Sequence, residues 1–306
     1  MTKIVLFLSF AKLIKIFNTR KICLIKKFFL LLQTENSKIA TAQEMNLYLF
    51  RTTNYLLHHF RARHTLGYNV HSPMLYDFTR NVIYEDNPYY IYRDIEYQRQ
   101  QLLNSPATVF VEDYGTGQSG ERKIKDIALT SLASPAEGQL LFRIANYLKA
   151  TQILELGTSL GISTAYLAAH NSKCRVTTLE GSKEIAAIAR QQWKKLNIHQ
   201  QINTITGNID DTLPLYLKET KQNFDIIYFD ANHTHDATLK YFRQCLPYRT
   251  EHSVFIFDDI YLNPGMKQAW QQITQEHEVT ASIDLYHLGI VFFNPHLIKK
   301  TYYMRW

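Results

Sequence analysis

The chain has 306 residues, of which 46% are hydrophobic, enough for one large globular domain with additions or for two small ones. Most of its net charge of +7 lies at the amino terminus. Residues 1–44 hold eight Lys/Arg and two Glu, whereas the remainder carries a net charge of +1. A nearly neutral body argues against a surface that follows the phosphate backbone of a nucleic acid.

Residues 1–44 form a basic, apolar extension whose hydrophobic stretches are broken by lysines and arginines. No uninterrupted run approaches the roughly 20 apolar residues of a membrane span. The triplet at 40–42 resembles a signal-peptidase site, but the apolar run before it (28–32) is shorter than the roughly 7–15 residues of a signal peptide. We therefore expect Met45 to be the natural start. The alternative is a basic amphipathic helix on a membrane surface.

The three cysteines lie far apart in the sequence, and no two of them form a Cys-x-x-Cys pair. This spacing argues against a zinc ribbon and against a disulfide framework. We therefore expect a protein of the reducing cytoplasm without a transmembrane segment. The sequence leaves a homodimer open.

Residues 45–134 show apolar residues at helical spacing, which predicts a mainly helical amino-terminal region. Pro73 suits the start of one helix, and Ser134-Pro135 suits the N-cap and first position of another, which runs to about residue 150. The elements expected before that helix are helices at 46–63, 74–84 and 89–104, a strand at 108–113, a glycine-rich loop at 114–120 and a helix at 121–131.

From residue 135 onwards, short apolar runs alternate with amphipathic stretches, which predicts a second region, 135–306, of α/β type with a mostly parallel sheet. The last two runs are too close for a crossover helix and must form an antiparallel hairpin. The sequence thus predicts a seven-stranded sheet. Its strands are 153–156, 175–180, 202–207, 225–230, 253–259, 279–285 and 287–293, and the intervening helices are 161–169, 182–196, 211–221, 236–246 and 264–276.

Two glycine-rich loops could bind a nucleotide. The first, at 115–120, has the form GxGxxG but lacks an acidic residue about 20 positions later, so we expect a mobile loop or a lid. In the second, Gly157 would let the backbone approach a cofactor, and Gly161 would start a helix whose free N–H groups face it. Glu180 ends the next strand and can accept hydrogen bonds from ribose hydroxyls.

The stretch LELGTSLGIST (154–164) resembles the first motif of the class I methyltransferases that use S-adenosylmethionine (SAM). The resemblance implies a Rossmann-like fold and a helical amino-terminal region that caps the cofactor and selects the substrate. It implies that Glu180 holds the ribose. The other residues that it assigns to SAM are Glu155, Gly157, Thr158, Ser159 and Gly161 for the methionine part, Gly207, Asn208 and Asp210 for the adenine, and Asp230.

Three aspartates follow neighbouring strands. Asp230 ends the fourth, and Asp258 and Asp259 end the fifth, so their carboxylates can converge at one edge of the sheet. The arrangement resembles the metal-dependent O-methyltransferases of the catechol and caffeoyl-CoA type, in which such residues hold a divalent ion, and it implies Mg²⁺ or another divalent cation here. The alternative is that Asp230 positions SAM or substrate while Asp258 or Asp259 caps the next helix.

His233 lies just after Asp230 and is a candidate general base, because histidine titrates near neutral pH; the alternative is a solvated loop histidine. His71 is a candidate for lining the site from the amino-terminal region. We expect methyl transfer to an oxygen of a small molecule, with Asp230 and His233 as catalytic residues. The alternatives are methylation of protein or RNA, a non-catalytic SAM-binding module and a nicotinamide-dependent oxidoreductase.

Overall fold

The computed structural model describes residues 42–112 and 119–306. Most of the predicted extension at 1–44 and of the glycine-rich loop at 114–120 lies outside these residues. The chain divides into two compact units, Met1–Leu49 and Phe50–Trp306. Within the described ranges, no helix is both long and apolar enough to cross a bilayer.

The first part of the described chain is mainly helical, as predicted. Ser72 caps the second helix through its side chain, and Pro73 occupies the first helical position. The described helices are α1 (Ala42–Arg61), a 3₁₀ turn (Thr65–Gly67), α2 (Pro73–Phe78) continued by a π-helical segment (Thr79–Ile83), α3 (Tyr90–Leu103) and α4 (Ile124–Ser131).

A small antiparallel hairpin separates α3 from α4. Its strands are β1 (Thr108–Val111) and β2 (Gly120–Lys123), with Thr108 opposite Lys123. The helix predicted at 121–131 therefore starts three residues late, at Ile124. The backbone of 120–123 is in the extended conformation because it pairs with β1, a contact that local spacing does not encode.

The rest of the chain alternates strands and helices around one sheet. The strands are β3 (Gln152–Leu156), β4 (Arg175–Glu180), β5 (Ile202–Thr206), β6 (Phe224–Phe229), β7 (Arg249–Phe257), β8 (Ala281–Asp284), β9 (Gly289–Phe292) and β10 (Lys300–Tyr303). The helices are α5 (Pro135–Leu148), α6 (Ile162–Ala168), α7 (Lys183–Lys195), α8 (Ile209–Glu219), α9 (His235–Cys245) and α10 (Pro264–Gln275), with 3₁₀ turns at His199–Gln201 and Leu246–Tyr248.

The strand order in the sheet is β10-β8-β9-β7-β6-β3-β4-β5, and every neighbouring pair is parallel except those that involve β9. This confirms the predicted α/β class, the mostly parallel sheet and the antiparallel hairpin. The sheet has eight strands, one more than predicted. The additional strand, β10, is a short, half-exposed edge segment that pairs in parallel with β8 and contains no apolar run.

The sheet is buried on both faces, and alternate residues of each strand enter different hydrophobic cores. In β7, Val254 and Ile256 pack into a core shared with the amino-terminal helices, whereas Phe255 and Phe257 pack into a core shared with α8, α9 and α10. Burial on both faces explains why the parallel strands appear in the sequence as continuous apolar runs. The loops at the carboxyl ends of the strands are left to form a site.

Candidate active site

A cleft of about 610 Å³ opens at the carboxyl edge of the sheet. One wall consists of the turns after β3, β4 and β5. Another consists of the segment between α4 and α5 and the ends of the β1–β2 hairpin, and the acidic residues after β6 and β7 complete the boundary. The position agrees with the rule that open α/β sheets bind ligands beyond the carboxyl ends of their strands.

The turn between β3 and α6 follows a glycine pattern imposed by packing. Gly157 has a φ of +99°, and a Cβ there would lie 2.0 Å from the carbonyl oxygen of Asp230. Gly161 has a φ of +82°, and a Cβ there would lie 2.7 Å from Nε1 of Trp193, which donates a hydrogen bond to the Gly161 carbonyl. We predicted that Gly157 admits a cofactor. The structure shows that the absence of a side chain at Gly157 leaves room for the Asp230 carbonyl, in the loop after β6.

Glu180 lies where the sequence placed it, at the end of β4 on the cleft wall. The amide of Ser159 donates to Oε2 at 2.8 Å, and the amide of Ser182 donates to Oε1 at 3.0 Å. Burial raises the pKa of the Glu180 carboxyl, and the hydrogen bonds from backbone amides oppose that effect. The carboxylate lies on the cleft wall, where it is an acceptor for the hydroxyls of a ligand.

Glu155 does not lie on the cleft wall, in contrast to the contact with SAM implied by the resemblance. Its side chain has no exposed surface and accepts hydrogen bonds from the hydroxyls of Ser163 (2.7 Å), Thr178 (2.7 Å) and Thr164. Burial raises the pKa of Glu155 to about 7, although these three hydrogen bonds lower it. Its geometry is that of a residue which holds the start of α6 against β3 and β4.

The residues expected around the adenine separate into two groups. Asn208 lines the cleft and caps α8, because its Oδ1 accepts from the amide of Asp210 at 3.0 Å. Asp210 is not among the residues that line the cleft; its Oδ1 is bound by Lys240 (2.9 Å) and by the hydroxyl of Tyr241 (3.0 Å). The bond from Lys240 lowers the pKa of the Asp210 carboxyl.

Neither Gly207, which precedes α8, nor Thr158 is a cleft-lining residue. Thr158 is buried and hydrogen-bonded to Thr178 at 2.5 Å. Gly161 also lies behind the wall. Of the turn after β3, Gly157 and Ser159 face the cleft.

Asp230, Asp258 and Asp259 line the acidic end of the cleft together. The hydroxyl of Tyr228 donates to Oδ2 of Asp230 at 3.3 Å, and Nε2 of His233 lies 3.5 Å from Oδ1. Burial raises the pKa of Asp230 well above its ordinary value, and that of Asp258 also, to which the negative charge of Asp230 adds. The two carboxyls hydrogen-bond each other, and this bond lowers the pKa of Asp230 while burial raises it.

This donor set does not fit the predicted divalent-ion site. Across 42–112 and 119–306, no group of three or more His, Cys, Asp or Glu side chains is arranged to hold a metal ion. The alternative that Asp258 or Asp259 caps the next helix is wrong, because Asn263 caps α10.

Several residues line the cleft that sequence reasoning did not single out. Glu137, Ser131 and Tyr241 are among them, and their own sequence neighbourhoods carry no signal beyond the N-cap motif at Ser134-Pro135. His71, by contrast, is exposed and does not line the cleft.

Comparisons with known proteins agree with this geometry. Residues 154–260 match a family of methyltransferase domains. A catechol O-methyltransferase from Niastella koreensis is 36% identical over 100 residues, which cover 32% of this chain and 45% of that relative. A catechol O-methyltransferase from Mycobacterium tuberculosis is 26% identical over 134 residues, which cover 44% of this chain and 59% of that relative.

A solved structure shows the fold more widely. Cofactor-bound Rv0187 from MTB aligns with a TM-score of 0.50 and 16% identity, and the alignment covers 72% of this chain and 95% of that protein. The chain spans about half the length of the curated relatives it matches. The matched region, 154–260, contains the turn after β3, Glu180 and the three aspartates. Residues 154–260 are therefore similar to a methyltransferase domain, and the α/β part has the fold of a Rossmann-like protein.

Proposed function

We propose that this chain is a SAM-dependent methyltransferase that methylates an oxygen of a small molecule. The observation that carries the proposal is the Glu180 carboxylate, which ends β4 on the cleft wall and is aligned by the amides of Ser159 and Ser182. The acidic end of the same cleft holds Asp230 and His233. A group that can bind a nucleoside and groups that can accept a proton thus line the same cavity.

The residues that line the cleft fit SAM by their polar and apolar character. The carboxylate of Glu180 suits two vicinal hydroxyls, and the apolar side chains of Ile185 and Ile209 line the cleft near it. Bound SAM would supply an electrophilic methyl group. The domain would contribute mainly by holding the acceptor oxygen in line with that group.

We infer the following roles at the acidic end. His233 takes the proton from the acceptor hydroxyl, and Asp230, 3.5 Å from His233 Nε2, stabilises the imidazolium that forms. Asp258 hydrogen-bonds Asp230, and burial and the negative charge of Asp230 raise the pKa of its own carboxyl. Asp259 borders the acceptor, and Glu155 positions the turn after β3.

Calorimetric titration with S-adenosylhomocysteine (SAH) and SAM tests the cofactor. We expect Glu180→Gln to weaken SAH binding at least about tenfold, because a hydrogen bond to a charged group contributes about 1.5–3 kcal/mol. Glu219→Gln, at the exposed last residue of α8, is the matched control and should bind as the wild type does. Equal affinity in both variants, or no binding by the wild type, would contradict the proposal.

The acceptor is tested by turnover. Catechol is the first acceptor to try, because two of the matched relatives are named catechol O-methyltransferases. His233→Ala should abolish methyl transfer while SAH affinity stays within severalfold. The reaction should be run with and without Mg²⁺, since loss of activity in chelator would restore the metal site that the carboxylate geometry does not favour.

Three further parts of the proposal concern location, assembly and the domain boundary. A cytoplasmic location agrees with two buried free thiols, Cys174 and Cys245. The homodimer and the functional boundary at residue 134/135 stay predictions. Light scattering of the purified protein would test the first, and expression of 135–306 alone would test the second.

A further inference from the structure

The cleft wall opposite the turn after β3 is formed by the end of α4 and the residues that follow it. Four consecutive residues line the cleft there, Thr130 and Ser131 at the end of α4 and then Leu132 and Ala133, and we call residues 130–133 the connector. The connector has no regular secondary structure after Ser131, so its backbone is not fixed by its own helix or strand. The contacts that hold residues 130–133 therefore set the position of this part of the cleft wall.

A partly buried ion pair of α3 holds the connector. Arg99 is 4% exposed, its Nε lies 2.9 Å from both carboxylate oxygens of Glu96, and its Nη1 donates to the carbonyl of Ala133. The same Glu96 carboxylate accepts a hydrogen bond at 2.8 Å from the hydroxyl of Tyr166, a fully buried residue of α6. We call Tyr166, Glu96 and Arg99 the relay. It links the helix that follows the glycine turn to the opposite cleft wall.

The connector also contacts the glycine turn directly. The hydroxyls of Ser131 and Ser159 lie 2.7 Å apart, and that of Ser131 donates to the carbonyl of Ile127 at 2.9 Å. Because a hydroxyl has a single proton, Ser159 must be the donor to Ser131. The amide of Ser159 is in turn the donor to Glu180 Oε2. A continuous chain of hydrogen bonds therefore joins the connector to the carboxylate that carries the proposed function.

Stability alone does not account for the relay. Exposed ion pairs contribute little to stability, and buried ones are often no more stabilising than apolar residues of the same volume. In addition, Arg99 Nη2 is buried without a hydrogen-bond partner among the described residues, which is a costly state for a charged group. The effect of the Arg99 side chain is instead to hold the carbonyl of one residue, Ala133, in place on a cleft wall.

We propose that Arg99 is a positioning residue for cofactor binding: with Glu96 and Tyr166 it holds the 130–133 connector so that Ser131 orders Ser159 and, through it, Glu180. The inference rests on the proposed function. It assigns part of the cofactor site to the amino-terminal helices, which lie outside the matched region 154–260.

Calorimetric titration of the full chain with SAH tests the proposal. Arg99→Met should weaken SAH binding at least tenfold, and Glu96→Gln should weaken it by a similar factor. If the two residues act as one relay, the double variant should lose little more affinity than either single variant. Arg99→Lys, which keeps a cation able to reach the Ala133 carbonyl, should recover part of the affinity.

Two controls separate positioning from a general loss of stability. Arg93→Gln, at a largely exposed residue of the same helix, should bind SAH as the wild type does. Ile95→Ala, a truncation in the core of α3, should lower Tm without changing SAH affinity beyond twofold. Arg99→Met with lowered Tm but wild-type affinity would overturn the inference and leave the proposed function intact. No binding by the wild type would overturn both.

Discussion

Glu155 makes the stability of this protein depend on pH in a direction opposite to that of a salt-bridged carboxylate. The side chain is fully buried, and burial raises its pKa from an ordinary 4.5 to about 7 despite three hydroxyl donors. Between these two values, the folded protein keeps a proton that the unfolded chain has released. The stability that this proton contributes is fully present below pH 4.5 and is lost as the pH rises to about 7.

The size of the effect follows from the interval between the two pKa values. Roughly 2.5 pH units at about 1.36 kcal/mol each give about 3 kcal/mol for the change in the free energy of unfolding. Glu155→Gln removes the ionisation and keeps the shape, and the hydroxyls of Ser163, Thr164 and Thr178 can rotate to meet the amide. The variant should therefore gain about 3 kcal/mol relative to the wild type between pH 4.5 and pH 7.5.

Urea unfolding of both proteins across this range, monitored by tryptophan fluorescence, measures the difference directly. The exposed residue Glu251 supplies the control, since Glu251→Gln should leave the pH profile of the wild type unchanged. A difference between wild type and Glu155→Gln that stays constant from pH 5 to pH 8 would refute the reasoning. It would mean that the three hydroxyls keep the carboxylate ionised throughout.

Three further outcomes follow from contacts in and behind the cleft. Gly157→Ala should destabilise the fold by about 3 kcal/mol or more, because the new Cβ would lie 2.0 Å from the Asp230 carbonyl oxygen and the backbone there is left-handed. Gly120→Ala is the control, since a Cβ there would have open space around it and should not destabilise the fold. Thermal melts of both variants measure the difference. Tyr228→Phe removes a hydrogen bond that lowers the pKa of Asp230, so the acid limb of the pH–rate profile should move to higher pH, and an unmoved limb would contradict that role. Trp193→Phe removes the 2.8 Å hydrogen bond to the Gly161 carbonyl, which keeps its bond from the Ala165 amide, and should cost about 0.5–1.5 kcal/mol in urea unfolding.

The parts of the site that could be predicted from sequence are those fixed by the strand ends. The parallel strands are continuous apolar runs, so their carboxyl ends can be located, and residues just beyond those ends must share one edge. Glu180, Asp230 and Asp258 were placed at the cleft by this argument. The eighth strand, β10, was not predicted because it lies at an edge of the sheet, is half exposed and has no apolar run.

Glu155 shows why a strand-end acid is not always a cleft residue. It is the penultimate residue of β3, in register with Thr178 of β4 and Tyr228 of β6, so its side chain projects from a face of the sheet rather than beyond its edge. Period-two geometry puts it on the face of Ile153, which packs into the core shared with the amino-terminal helices. An acid inside a strand that is buried on both faces is therefore expected to be buried.

The remaining discrepancies are tertiary. Asp210 is drawn to Lys240 and Tyr241 only because α8 and α9 lie side by side, which no local pattern specifies. The same holds for Arg99, whose hydrogen bond to Ala133 spans 34 positions in sequence. A motif can identify the residues that meet a cofactor, but it does not identify the residues that hold the opposite wall in place. Those residues lie in the part of the chain with no recognisable motif, and there we expect cofactor affinity to be adjusted.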